Sequence, residues 1–333
     1  MPSAWDQGFV EIADGCFVAR YREWDVSIGV VVGTAGAVVI DTRAGVLQGR
    51  RLREDVARLP GRPAVRWVVN THEHFDHVLG NAAFGGAVIH AHENAAARIP
   101  AAVARIKALI AADRALDPEH PEITDAILQD VLDSEPVPPD RTFSSAATID
   151  LGDRYVELLH LGRGHTSGDL VLRVPDADVL FAGDLLEESA DRDATPGFGG
   201  DCWPLEWAET LDRVIGLLSA ESLVVPGHGT VVDRAFAERQ RDDITEVANL
   251  VRRLAEAGVA VDEALAAGER AGRTTTLAAS VEATGSGGTG WPFPSHYLAD
   301  AVRRGYRQLG ITTRTGMLPI LPAGTDDAAA ADD

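Results

Sequence analysis

Two kinds of apolar pattern alternate along the chain. Between Phe9 and Thr42, short β-branched runs are separated by glycines, which predicts strands over 16–19, 27–32 and 37–41. Residues 45–59 then place Val46, Leu47, Leu52, Val56 and Leu59 on one side of a helix. The compact apolar run 65–69 reads as a strand that leads straight into Asn70-Thr71-His72, and 87–89 reads as another. Residues 93–133 change character: they are Ala-rich and helical, with a break near Pro118 and Pro121, and form an inserted helical pair suited to a lid or a dimer surface. Strands return over 148–150, 155–159, 170–174, 179–181 and 223–225, with an amphipathic helix over 204–218. Beyond Asp233 the chain turns helical over 234–257, passes a glycine-rich linker at 284–290 and predicts a last helix over 294–309. The tail 325–333 has no apolar anchor and is expected to fray.

Composition narrows the class. The chain has 333 residues, 45% hydrophobic and 24% charged, as in an ordinary globular protein. The most apolar window, 28–40, is broken by Gly29, Gly33 and Gly36, so no membrane span is expected. Asp and Glu total 51 against 30 Lys and Arg, a net charge of −21 that repels phosphate backbones and argues against nucleic acid. Lys107 is the only lysine. Two cysteines, Cys16 and Cys202, cannot build a disulfide scaffold and read as buried thiols. The first residues lack a basic and then apolar signal pattern, so a cytoplasmic location is expected.

The chemistry concentrates in Thr71-His72-Glu73-His74-Phe75-Asp76-His77, directly after an apolar strand. Near a strand end His72 and His74 should point the same way, while the following turn aims Asp76 and His77 at a neighbouring point. This can build half of two adjacent sites for Zn²⁺, Fe, Mn or Co. A polar loop that merely happens to be His-rich explains one imidazole, not three around a carboxylate. Downstream, His165 lies in Gly164-His165-Thr166-Ser167-Gly168-Asp169, Asp184 ends the run Phe181-Ala182-Gly183-Asp184, and His228 sits in Pro226-Gly227-His228-Gly229. Each is read as standing at a strand exit, where an α/β sheet collects functional groups.

These motifs, in this order across about residues 10–235, resemble the metallo-β-lactamase-fold superfamily: HxHxDH, a later lone His, a bridging Asp and a final His. The resemblance implies an α/β, four-layer αββα sandwich with the helical insertion at about 93–133. It implies a catalytic domain over 1–235, followed by a C-terminal helical extension over 236–324. By position it implies that His72, His74 and His165 hold one metal, that Asp76, His77 and His228 hold a second, and that Asp184 bridges them. Two divalent ions, zinc ahead of iron or manganese, would share a hydroxide that ionises near neutral pH. Asp76 would orient that nucleophile and pass its proton to the leaving atom.

Asp184 stands where β-lactamases of the superfamily usually carry Cys or Ser, and so resembles glyoxalase II and the acyl-homoserine lactonases. The lone lysine weakens a β-lactamase reading, and His74 stands where flavodiiron proteins carry Glu. The expected activity is hydrolysis of a small ester, thioester or lactone. A β-lactamase-like amide hydrolase, a mononuclear iron dioxygenase and a non-enzymatic metal-binding module stay open, and a homo-oligomer is compatible with the chain. Among the remaining candidates, His90, His92, His160 and Cys202 are read as structural, and Glu187 and Glu188 as a solvated loop. Trp291, Phe293, His296 and Tyr297 either fold over the metal face or pack the terminal helix.

Overall fold

The β-branched runs pair into two sheets in the computed structural model, which describes residues 5–113, 120–189, 194–278 and 290–311. The first sheet has seven strands in chain order: β1 (Val10–Ala13), β2 (Cys16–Arg20), β3 (Ser27–Gly33), β4 (Gly36–Ile40), β5 (Val65–Val69), β6 (Val88–His92) and β7 (Arg141–Phe143). Pairing is antiparallel up to β4 and parallel from β4 to β7. The second sheet contains β8 (Ala146–Asp150), β9 (Tyr155–Leu159), β10 (Val171–Val174), β11 (Val179–Glu187) and β12 (Leu223–His228). Its order is β12-β11-β10-β9-β8, and only β11 and β12 are parallel.

The two sheets bury a shared core in which Val31, Val38, Ile40 and Val69 meet Leu158, Leu170, Leu172 and Phe181. Their contact is close enough that a Cβ on Gly29 would lie 2.4 Å from the Phe181 ring, so glycine there lets the layers meet. The outer face of the first sheet, with Ile28, Val30 and Val39, is covered by Leu52 and Val56 of α1 (Val46–Val56). The outer face of the second packs Leu180, Ala182 and Leu186 against α5 (Trp207–Ile215) and α6 (Arg234–Glu256), through Trp207, Leu211, Val214, Ile244 and Val247. Strands covered on both faces need apolar residues at nearly every position, which is why they read as unbroken runs. The order of layers is αββα, as the motifs implied.

Between β5 and β6 lies the short α2 (Phe75–Val78). The insertion contains α3 (Glu93–Ala112), which accommodates Pro100, and α4 (Asp125–Asp133). Pro121 lies in the turn before α4, and Pro118 lies outside the described residues. At the C-terminal end, α7 (Val261–Ala278) and α8 (Ala299–Gln308) lean on α6 where Leu250, Val251 and Leu254 meet Ala264, Val302 and Tyr306. The strands β1 and β7 are not among the strands expected, and α7 falls inside the expected helical extension without being delimited there. The tail 325–333 and residues 284–289 of the linker lie outside the described residues. Among the described residues, no helix is long and apolar enough to cross a membrane.

Candidate metal centre

The loop and short helix after β5, the middle of β11, the end of β12 and the loop between β9 and β10 deliver the seven side chains to one place. His72, His74, His165 and Asp184 can each offer a ligand atom within 4.8 Å of the others, and so can Asp76, His77 and His228. Asp184 joins the groups through its two oxygens. Oδ2 lies 3.6 Å from His72 Nε2, 3.4 Å from His165 Nε2 and 3.1 Å from His228 Nε2, while Oδ1 lies 3.3 Å from His77 Nε2. Asp76 Oδ2 is 3.4 Å from His77 Nε2 and 3.5 Å from His228 Nε2.

Two local readings are corrected. His72 and His74 do not end a strand: β5 stops at Val69, and both lie on the loop before α2, with His74 as its N-cap. Loop geometry, not strand alternation, brings their rings together, with centroids 4.7 Å apart. Asp184 does not end its strand either, since β11 runs on to Glu187. A break in register with β12 at Gly183, whose φ is +53°, turns Asp184 into the site. His228 is the last residue of β12, at a strand exit as expected, whereas His165 lies within the loop between β9 and β10.

Each imidazole of the cluster except His165 has a partner at hydrogen-bond distance on the ring nitrogen that the cluster leaves over. His77 Nδ1 meets Asp41 Oδ2 at 2.9 Å, His228 Nδ1 meets the Trp24 carbonyl at 2.7 Å, His72 Nδ1 meets Thr71 Oγ1 at 3.0 Å, and His74 Nε2 meets Asp201 Oδ2 at 3.1 Å. His165 Nδ1 lies 4.0 Å from Glu187 Oε1. Outer partners of this kind fix the tautomer and aim of metal-ligating histidines.

Charge and burial shape the cluster. Burial drives His72 well below the ordinary range and His165 down to about 3. Burial also opposes charge on His77 and His228, but the carboxylates of Asp184 and Asp76 prevail, holding His77 well above its usual value and His228 up to about 10. Asp184 is held well below the carboxylate range by His228, His77 and His72 against the effect of burial. Asp76, likewise buried, is held down to about 2 by His77 and His228.

The residues fit a divalent metal. His72 Nε2, His77 Nε2 and Asp184 Oδ1 are buried without a hydrogen-bond partner, a costly arrangement unless a cation completes them. Most of the donor separations, 3.1–3.6 Å, match the roughly 3.4 Å edge of a tetrahedron with ligands about 2.0–2.1 Å from a central zinc.

The pattern reading passed over Asp41, Asp201 and Trp24. Asp41 could have been noticed as a carboxylate at a strand exit, like His228; Asp201 is the neighbour of the cysteine that drew attention; Trp24 contributes only a backbone carbonyl, which no side-chain pattern reveals. Glu187 and Glu188 are not a solvated loop: Glu187 is 1% exposed and accepts from Gly197 N, while Glu188 accepts from Thr230 N and Oγ1. His92 caps α3 and stacks on His160 at 3.9 Å, and Cys202 is fully buried, so these are structural as read. Phe293 packs on Phe198, and Trp291 Nε1 donates to the Leu265 carbonyl, so these two pack the C-terminal helices, while His296 is exposed and lies against Tyr297.

Comparison with known proteins agrees with this architecture. The chain is 28% identical over 238 residues to a human acyl-coenzyme A thioesterase, MBLAC2, covering 65% of this chain and 79% of that protein. It is 32% identical over 92 residues to a type 2 metallo-beta-lactamase of Bacillus cereus, a stretch covering 28% of this chain and only 35% of that enzyme. Among solved structures, a metallo-beta-lactamase from Pontibacter korlensis shares the fold with a TM-score of 0.53 at 20% identity, covering 71% of this chain and 98% of its own. The inverting sec-alkylsulfatase Pisa1 from Pseudomonas sp. aligns with a TM-score of 0.67 at 15% identity, over 90% of this chain and 50% of its own. The family model described as the metallo-beta-lactamase superfamily matches residues 21–259, and the chain belongs to that superfamily.

Proposed function

We propose that this chain is a metal-dependent hydrolase acting on thioesters, with small esters and lactones as related substrates. The observation that carries the reading is the two-sided placement of Asp184, one oxygen toward His77 and the other toward His72, His165 and His228. With the donors gathered into one group of His72, His74, His165 and Asp184 and a second of Asp76, His77 and His228, that arrangement suits two adjacent divalent ions, zinc first. Such ions supply Lewis acidity and an ionised water near neutral pH. The similarity to an acyl-coenzyme A thioesterase over most of that protein's length favours a thioester among the acyl bonds considered.

The chain's own groups have distinct tasks. Asp76 is ionised at neutral pH and lies at the edge of the cluster, so Oδ2 can orient an attacking water and take its proton. His77 and His228 keep Asp76 in place. The outer contacts from Asp41, Thr71 and the Trp24 carbonyl fix the rings before substrate arrives, so no ordering cost falls on the reaction.

The test is a panel of acyl-coenzyme A thioesters, aryl esters and lactones offered to zinc-loaded protein, with nitrocefin as the amide probe. Release of free thiol from at least one thioester is the expected result. Protein that holds metal yet leaves the whole panel intact overturns the reading; turnover of nitrocefin alone transfers it to amide hydrolysis. Elemental analysis runs alongside, because one iron per chain would redirect the chemistry toward oxygen.

A further inference from the structure

The first helix of the insertion meets, at two points, the segments that carry or support the cluster. Near its start, Asn94 Nδ2 donates to the Ser167 carbonyl at 3.0 Å, and Gly168 lies so near that a Cβ there would be 2.5 Å from Ala95 N. This docks α3 on the loop that carries His165. About three turns later, Arg105 Nη2 donates to Asp201 Oδ2 at 2.9 Å. The same oxygen meets His74 Nε2 at 3.1 Å, and the opposite nitrogen of that ring, Nδ1, is 2.8 Å from His165 Nε2 inside the cluster.

The loop that presents Asp201 has other anchors. Arg304 of α8 donates to the Cys202 carbonyl at 2.8 Å, Trp203 N donates to the Gly164 carbonyl at 2.7 Å, and the Arg163 guanidinium lies 3.8 Å from the Trp203 ring centroid. The backbone of the loop is therefore set without Arg105. What Arg105 adds is the aim of one carboxylate.

We propose that Arg105 is a positioning residue: the helical insertion reaches through Arg105 and Asp201 to hold the His74 ring with Nδ1 turned toward the metal. The inference rests on the metal-centre reading above. A carboxylate with only one partner could swing away on its χ torsions; a second donor on the same oxygen removes that freedom. His74 is the ligand most in need of such support, because its side chain is the most exposed of the seven, at 16%, and it stands at the N-cap position of a four-residue helix without a side-chain capping bond. The insertion is then part of the frame of the site, beyond any role in shaping substrate access.

Arg105→Ala, Arg105→Lys and Asp201→Asn, compared with wild type, test this through zinc retention against a graded chelator, metal stoichiometry, steady-state kinetics, and the melting temperature of the metal-free protein. Arg105→Ala should release one of two zinc ions at about tenfold lower chelator concentration, and Asp201→Asn should do so at least as readily. Arg105→Lys should restore most of the loss. In Arg105→Ala, kcat should fall with KM unchanged, and the metal-free melting temperature should stay at the wild-type value. Wild-type zinc retention in Arg105→Ala overturns the proposal, as does a rise in KM alone, which would mark Arg105 as a substrate contact. Wild-type protein that binds no zinc overturns the metal centre itself, and that arm is read before any variant.

Discussion

Asp41 holds His77 from behind: Oδ2 meets His77 Nδ1 at 2.9 Å and also accepts from Thr71 Oγ1 at 2.7 Å, while Oδ1 accepts from Thr71 N at 2.8 Å. One carboxylate at the end of β4 thus orients a ring of the second ligand group and fixes the loop that begins the histidine motif. Asp41→Ala should weaken metal binding by about 10–100-fold. Leaving the Thr71 donors buried without an acceptor should also cost about 1–3 kcal/mol of stability. Zinc titration and urea unfolding of the metal-free protein measure the two effects separately. Unchanged affinity with lost stability would confine Asp41 to a structural role.

Gly227 packs directly against the Asp184 carboxylate. A Cβ at that position would lie 1.9 Å from Asp184 Oδ1 and 2.9 Å from the Gly183 carbonyl carbon. No rotamer adjustment of a methyl group relieves that overlap, so Gly227→Ala must displace Asp184. The variant should lose both metal and turnover, as Asp184→Ala and His72→Ala should. Full zinc stoichiometry with wild-type activity in any of the three would contradict the assignment of the cluster.

Loading with metal should release protons. Burial disfavours charge on His74 and His228, but Asp201 raises His74 to about 9 and Asp184 raises His228 to about 10. His77 is likewise held well above its usual value by Asp184 and Asp76, so all three rings carry an extra proton at pH 7 in the metal-free protein, and a metal must displace it. Because the raised values favour the protonated rings, apparent affinity should climb as pH rises from 7 through 9–10. Calorimetric zinc titrations at pH 7 in buffers of different ionisation enthalpy should report about three protons released per chain, one from each of these rings. A buffer-independent heat would rule this out.

The thiols should be inert. Burial pushes Cys16 up to about 12 and Cys202 well above the ordinary thiol range, and both are fully buried. The folded protein should show no fast reaction with a thiol reagent, and two equivalents after denaturation. This also means that free thiol liberated from a thioester substrate can be followed without interference. Rapid labelling of native protein would show that one cysteine reaches solvent.

The primary structure was enough for most strands of the sandwich, for α1, α5 and α6, and for the seven converging side chains. The reason is physical. Strands buried on both faces must be apolar throughout, and imidazoles crowded around a carboxylate have few other uses. The loop after β5 and the bulge that keeps β11 running past Asp184 were not legible, since short-range alternation cannot distinguish a strand end from a loop that projects similar side chains. The outer frame was hidden altogether. Asp41 and His77 are 36 residues apart, His74 and Asp201 127, and His228 and Trp24 204. With 51 acidic residues in the chain, a single Asp carries no signal until folding sets it against an imidazole. Local chemistry was written into the order of residues, but the partner of each ring depended on how two sheets, an inserted helix and a glycine-rich loop packed together.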